Sequence, residues 1–302
     1  MGSWRSLGGA LLRNRAATAA FVILCVFALM ALLAPWIDHH DPATQHLYDK
    51  HEGPGATYWL GADFYGRDEY SRLVHGARIS LTIGVLSQVI GVGIALVVGL
   101  AAGLGGRRID SLLMRLTDVA FAFPDLLLLI LLVSIWGPSV WMITVAIGLV
   151  SWPAIARLVR GQVLSLRKEP FVVAALAVGA NDLQIARSHL LPNIAGPVIV
   201  AATFGVPQAI FAEAALSFIG LGVPLPTPTW GNLVVESKGA FQVAPHLVFA
   251  SCTTVALTMM SFMLLGEGLR DALDPRMQRR SRSVPDAEPV APREQAALPR
   301  AA

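Results

Sequence analysis

Long apolar stretches separated by shorter polar segments dominate this sequence. A bilayer core of ~30 Å needs about 20 residues of helix, and six stretches are apolar enough to supply one. The first is interpreted as a retained helix, because its apolar run is too long for a signal peptide. The pattern predicts an all-α integral membrane protein with six transmembrane helices, over residues 17–37, 79–104, 112–136, 139–156, 194–219 and 244–266.

Composition agrees with this class. The chain of 302 residues is 55% hydrophobic and only 14% charged, whereas soluble domains are about a quarter charged. The net charge of +3 raises the question of a nucleic-acid partner. If the N-terminus lies inside, however, 18 of the 23 Lys and Arg residues fall in inner segments and 5 in outer ones. Because basic residues accumulate on the cytoplasmic side, the charge predicts two cytoplasmic termini and needs no nucleic acid to explain it.

Polar segments between the spans complete the predicted organisation. The tail lacks periodicity and is predicted to be disordered. In the first outer segment, Tyr70, Leu73, Val74 and Ala77 fall at helical spacing and predict a short interfacial helix. The segments are residues 1–16 (cytoplasmic N-terminus), 38–78 and 220–243 (extracytoplasmic), 157–193 (cytoplasmic) and 278–302 (cytoplasmic tail), with a transmembrane core over 79–277.

The cytoplasmic segment 157–193 carries the most information. An apolar face recurs at helical spacing through Phe171, Ala174, Ala175 and Val178. Gly179 suits the left-handed position after a helix, so a helix, a glycine turn and a second helix are predicted. The second helix has Asn181 as its N-cap, followed by Asp182. The small residues Ala174, Ala175, Gly179 and Ala180 leave room for another surface to approach, which favours a docking element about as much as an ordinary surface loop.

Ionisable residues within spans need a reason, since a charge at mid-membrane costs ~3 kcal/mol on insertion scales. Arg115 and Asp118 are spaced to pair on one helical face, and Asp125 is predicted on that same face. These three residues either line a pathway or lock the bundle. Glu213 is predicted near the outer end of its span, either at an outer gate or partner contact or in a hydrogen bond to backbone at the start of the next loop.

Motifs for nucleotide or metal chemistry are missing. The sequence contains no GxxxxGK[ST], HExxH, CxxC or GxSxG. Histidines in the first outer segment have loop spacing and no nearby cysteine, which favours solvated side chains over metal ligands. No cofactor or metal is therefore predicted for this chain, and it is not expected to be an enzyme.

The segment FVVAALAVGANDLQIARSHLLPN resembles the signature of ABC importer permeases, in which Glu-Ala-Ala precedes a Gly and then a Leu-Pro. Ala174, Ala175, Gly179, Leu191 and Pro192 match, and Val173 stands where the signature has Glu. Over residues 10–277 the chain resembles the C-type permease subunit of dipeptide, oligopeptide and nickel ABC importers. Further matching stretches are GADFYGRD, RLTDVAFAFP, SWPAIARLVRGQVLSLR, EAALSFIGLGVPLPTPTWGN and LLGEGLRDALDPR.

The resemblance implies a type I importer permease fold in a bacterial inner membrane. It implies pairing with a B-type permease, two ABC ATPase subunits that use ATP and Mg, and an extracytoplasmic substrate-binding protein. Residues around 170–179 would form a coupling helix seated in an ATPase. The implied docking residues are Phe171, Val173, Ala174, Ala175, Gly179, Ala180, Asn181 and Asp182.

Peptides are the expected substrates, and nickel chelates or glutathione are the alternatives within the family. An ion-coupled secondary transporter is the alternative from another class. It predicts internal repeats with broken helices and mid-membrane ionisable residues, and neither is evident. A structural membrane subunit is the third alternative.

Overall fold

The computed structural model describes residues 14–273, and all regular elements of that part are helices. The predicted all-α class is therefore confirmed. The predicted tail, and all but the last residues of the predicted N-terminal segment, lie outside the described residues. The helices are α1 (Arg15–Ile37), α2 (Glu69–Leu104), α3 (Gly106–Ala122), α4 (Asp125–Trp136), α5 (Val140–Leu166), α6 (Pro170–Ala177), α7 (Asp182–Ile185), α8 (Leu191–Phe218), α9 (Trp230–Lys238) and α10 (Pro245–Leu273).

Five of the helical segments in residues 14–273 are long and apolar enough to cross a membrane, and the bent α3–α4 pair makes up to six. The third predicted span is thus not one straight helix: α3 and α4 meet at 87°. Phe123 and Pro124, which lie between α3 and α4, have extended backbone conformations. Proline disfavours helical backbone in the preceding residue and cannot donate a helical hydrogen bond, which accounts for the break.

A glycine-lined contact joins α2 to α5. A Cβ built on Gly99 would lie 2.6 Å from Cβ of Val159, and one on Gly103 would overlap Val163. Gly91 meets Ser151 in the same way, so all three glycines allow the two helices to approach closely. Because the contact positions rise together along both helices, α2 and α5 are parallel. The chain must return between them, and α3 with α4 makes that return.

The helix ends differ from the prediction. The expected interfacial helix is the first part of α2, which starts at Glu69 and continues without a break. Leu73, Val74 and Ala77 are buried there by packing within the chain. The fourth span continues to Leu166, into the segment predicted to be a cytoplasmic loop.

We call the end that holds the residues of the importer signature the signature end. We call the opposite end, which holds a cluster of ion-paired side chains described below, the cluster end. The signature end carries residues 167–190, and an apolar core packs those residues against the last turns of α2 and α5. The cluster end carries residues 38–68 and 219–244, where Trp230 and Leu233 pack on the first turns of α2. Each end therefore has its own loop structure built on the same helices.

Candidate functional site

The predicted helix, turn and helix are present at the signature end. Pro170 begins α6, and Gly179 follows it with φ of +93°, a conformation that glycine adopts without penalty. Asn181 caps α7 through a reciprocal capping box with Gln184, with both hydrogen bonds at 2.9 Å. A five-residue π-helical turn, Ala186–Leu190, then leads into α8.

Exposure divides the side chains of this segment into two sets. Val172 is fully buried in the core of its own chain, so its side chain is not available to another protein. Ala175 and Ala180 are half-buried against the same core, and Ala174, Gly179, Asn181 and Asp182 are exposed. The exposed large apolar side chains, which we call the apolar loop surface, are Phe171, Val173, Leu176, Val178 and Leu183.

Sequence reasoning missed two members of this surface, Leu176 and Leu183. Leu183 is 77% exposed and Val178 is 91% exposed. The signal was available, because large apolar residues in a segment outside the spans have no membrane to cover them.

The segment is fixed firmly to the bundle. Val172, Ile185 and Leu190 pack in one core with residues of α5. Arg167 donates to the carbonyl oxygen of Gly103 at 2.8 Å, and so satisfies a free acceptor at the end of α2. A displacement of this segment would therefore be transmitted to α2 and α5 together.

The predicted Arg115–Asp118 pair is wrong. Asp118 accepts from Arg157 at 2.5 Å, and Asp110 binds Arg160 in a two-fold contact that includes a 2.6 Å hydrogen bond. The prediction placed Arg157 and Arg160 in a loop, but both lie on α5. Arg115 is exposed and has no ion pair within residues 14–273.

Asp125 does not share a face with Asp118, since the 87° bend separates α3 from α4. Asp125 is instead the first residue of α4 and lines a cavity of about 500 Å³ among α2, α4, α5 and α8. Glu213 is buried and accepts from the hydroxyl groups of Ser217 at 2.9 Å and Thr229 at 2.7 Å. Glu213 thus joins α8 to the N-cap of α9 through side-chain hydroxyl groups, whereas the hydrogen-bonding interpretation expected backbone at the start of the next loop.

An ionic cluster at the cluster end was not predicted. Arg67 and Arg72 both bind Asp63, and both also bind Glu236 on α9, with distances of 2.5–2.7 Å. The cluster fastens residues 61–68 to α9. Within residues 14–273, no group of three or more His, Cys, Asp or Glu side chains is arranged to hold a metal ion.

The fold is similar to a chain of the MetNI methionine ABC transporter in an inward-facing conformation. The TM-score is 0.55 at 19% identity, over 67% of this chain and 97% of that chain. The helices of this chain therefore have the type I ABC importer permease fold.

The sequence model described as "binding-protein-dependent transport system inner membrane component" matches residues 95–279. A second model, "N-terminal TM domain of oligopeptide transport permease C", matches residues 3–54. The chain belongs to the family of binding-protein-dependent transport system inner membrane components, and it is a transmembrane permease subunit of an ABC importer.

Relatives match the chain over nearly its whole length. It is 40% identical to the dipeptide transport system permease protein of Alkalihalophilus pseudofirmus, over 91% of this chain and 90% of that protein. It is 38% identical to the glutathione transport system permease protein of Pectobacterium atrosepticum, over 91% and 92%. It is 37% identical to the oligopeptide transport system permease protein of Bacillus subtilis, over 88% and 87%.

Proposed function

We propose that this chain is the C-type permease of an importer for dipeptides and oligopeptides in a bacterial inner membrane. The names of the relatives at 40% and 37% identity support peptides as the substrate class. Both termini are cytoplasmic in this proposal, because the basic residues then lie mainly on the cytoplasmic side. The signature end faces the ATPases, and the cluster end faces the substrate-binding protein.

The exposure of the apolar loop surface is the observation that supports assembly of this chain with an ABC ATPase. Exposed apolar patches on soluble surfaces mark contacts with other proteins. Exposed Asn181 and Asp182 beside this surface make burial in lipid unfavourable. We assign the surface to the cleft of one ABC ATPase subunit, with α6 as the coupling helix.

Small residues and a rigid attachment suit α6 to coupling. Ala174 and Gly179 are exposed without bulk, so the ATPase can approach the backbone closely. Val172 anchors the helix in its own core. A movement of the ATPase is thereby passed to α2 and α5, and a B-type permease supplies the other half of the pathway.

Nucleotide chemistry belongs to the partners in this proposal. The sequence has no GxxxxGK[ST] loop to hold phosphates, so two ATPase subunits bind ATP and Mg. Purified chain alone is expected to show no saturable ATP binding in equilibrium dialysis. Saturable ATP binding by the purified chain would contradict the assignment of nucleotide binding to the ATPase subunits.

The test is uptake of a radiolabelled dipeptide by cells that lack their own peptide importers and express this chain with its partner subunits. Uptake is expected only when every subunit is present and the ATPases hydrolyse ATP. The matched control replaces the phosphate-loop lysine of the ATPases. Uptake that persists with those ATPases would favour an ion-coupled transporter.

Glutathione is the second candidate substrate, and the relative at 38% identity supports it. Competition between unlabelled glutathione and the dipeptide decides between the two. Inhibition by glutathione at lower concentrations than by dipeptides would replace peptides with glutathione as the substrate.

A further inference from the structure

Helix α3 lies across the bundle and not along it. Residues 137–139 alone join α4 to α5, and the two helices share an apolar core that includes Val133 and Ile143. They are therefore antiparallel neighbours along the bundle axis. The 87° bend between α3 and α4 turns α3 nearly perpendicular to that axis. Because the long helices cross the bilayer, α3 runs close to parallel with the membrane surface.

The ion pairs of α3 show at which depth it lies. Asp110 pairs with Arg160, and Asp118 pairs with Arg157. About 12 Å of α3 thus advances only about 4.5 Å along α5, at 1.5 Å for each residue. The apolar span predicted for α5 ends at residue 156, directly before Arg157. Helix α3 therefore lies at the boundary between hydrocarbon and headgroups at the signature end.

The exposed side of α3 is divided into two adjacent strips. At 3.6 residues per turn, the exposed cations share one sector and the exposed apolar side chains share the next. The basic strip is Arg107, Arg108 and Arg115, and the apolar strip is Ile109, Leu112, Leu116 and Val119. Leu112 is 61% exposed and Val119 is 58% exposed. This division is typical of amphipathic helices that lie in a membrane interface.

The basic strip carries charge that the described residues do not neutralise. Both aspartates of α3 are already paired with α5, and within residues 14–273 none of the three arginines has an ion pair. With Ser111 and Leu112, the arginines line an open depression of about 500 Å³. Since arginine binds phosphate oxygens through two parallel hydrogen bonds, the depression suits an anionic phosphate group.

We propose that α3 is a lipid-binding helix, whose basic strip binds the phosphate groups of anionic phospholipids while its apolar strip lies among their acyl chains. In the proposed orientation these lipids belong to the cytoplasmic leaflet, whose surface is negative. The inference goes beyond the proposed function, because it concerns the membrane and no transported substrate. A lipid fits both strips at once. An acidic protein surface would match the arginines but would have to cover the apolar strip at the depth where lipid lies.

A probe in the apolar strip reports which lipids lie beside α3. Cys25 and Cys252 are replaced by Ser, a fluorophore is attached through Leu116→Cys, and the chain is placed in nanodiscs with its partner subunits. Nitroxide-labelled phosphatidylglycerol and nitroxide-labelled phosphatidylcholine are compared as quenchers. Both should quench the fluorophore, and phosphatidylglycerol should do so at the lower mole fraction, because the basic strip selects the anionic headgroup.

Arg108→Gln combined with Arg115→Gln tests the basic strip. An arginine near an anionic membrane surface contributes about fivefold to binding, so the preference for phosphatidylglycerol should fall by about fivefold for each charge removed. The matched control combines Arg78→Gln with Arg187→Gln, which removes two exposed arginines outside α3. It should leave the preference unchanged.

A fluorophore at position 116 that neither lipid quenches would overturn the proposal, because a protein would then cover the apolar strip. Equal quenching by the two lipids would also overturn it, as would an unchanged preference in the double variant of α3. An equal loss of preference in the control would mean that the total charge of the importer, and not the basic strip, selects the lipid.

Discussion

Gly179 follows α6, the proposed coupling helix, in a backbone conformation that other residues adopt at a cost. Its φ is +93° and no atom lies near the position of a Cβ, so the space is open for a partner. Gly179→Leu is expected to abolish peptide uptake, because it fills that space and strains a left-handed residue by ~1 kcal/mol or more. Uptake and copurification of the ATPase measure the effect, and membrane insertion should persist.

Gly179→Asn is the matched control, because Asn tolerates a positive φ better than Leu does. It should retain more ATPase binding than Gly179→Leu. Normal uptake and normal assembly in Gly179→Leu would show that the segment is only a connecting loop.

Val173 gives a second prediction at this scale. It is 51% exposed and stands where the family signature has Glu, so the salt bridge that a Glu would offer cannot form. ATPase binding should therefore depend only weakly on ionic strength. Copurification at low and high salt measures this, with Val173→Glu as the comparison. A steep loss of wild-type binding in high salt would mean that charged residues carry the contact.

At the scale of elements, the ionic cluster holds α9 against residues 61–68. Arg72→Ala leaves Asp63 and Glu236 with one cation in place of two, and Asp63 is buried. Breaking a buried ion pair costs about 3–5 kcal/mol. The purified importer should unfold at a markedly lower temperature, as measured by a thermal shift in detergent.

Arg78→Ala is the control for Arg72→Ala, because it removes an exposed arginine from the same helix. It should change the unfolding temperature little. Equal shifts in the two variants would mean that the cluster contributes nothing beyond the general charge of α2.

Structural elements could be predicted from the sequence where the residues that determine them are close together along the chain. The turn at Gly179 and the cap at Asn181 follow from residues within a few positions of each other. The ionic cluster could not be found in this way, because Arg72 and Glu236 are 164 residues apart. The partner of Asp118 was missed for a related reason: Arg157 was assigned to a loop, whereas it lies on an extension of α5.

At the scale of the whole molecule, the distribution of basic residues predicts which loops face the cytoplasm. Single cysteines in place of Lys50, Lys238 or Lys168 in a cysteine-free chain test this. An impermeant maleimide should label the first two in intact cells, and the third only after the cells are opened. Labelling of position 168 in intact cells would reverse the orientation.

The glycine-lined contact between α2 and α5 has a mechanical consequence. With no room between Gly99 and Val159, the two helices cannot slide past each other and behave as one rod. Since α5 has 27 residues, the rod is about 40 Å long. Tilting it about its midpoint by roughly 10° moves its two ends about 3–4 Å in opposite directions. A displacement of α6 that tilts the α2–α5 pair would thus open a passage on one side of the bilayer and narrow the passage on the other side.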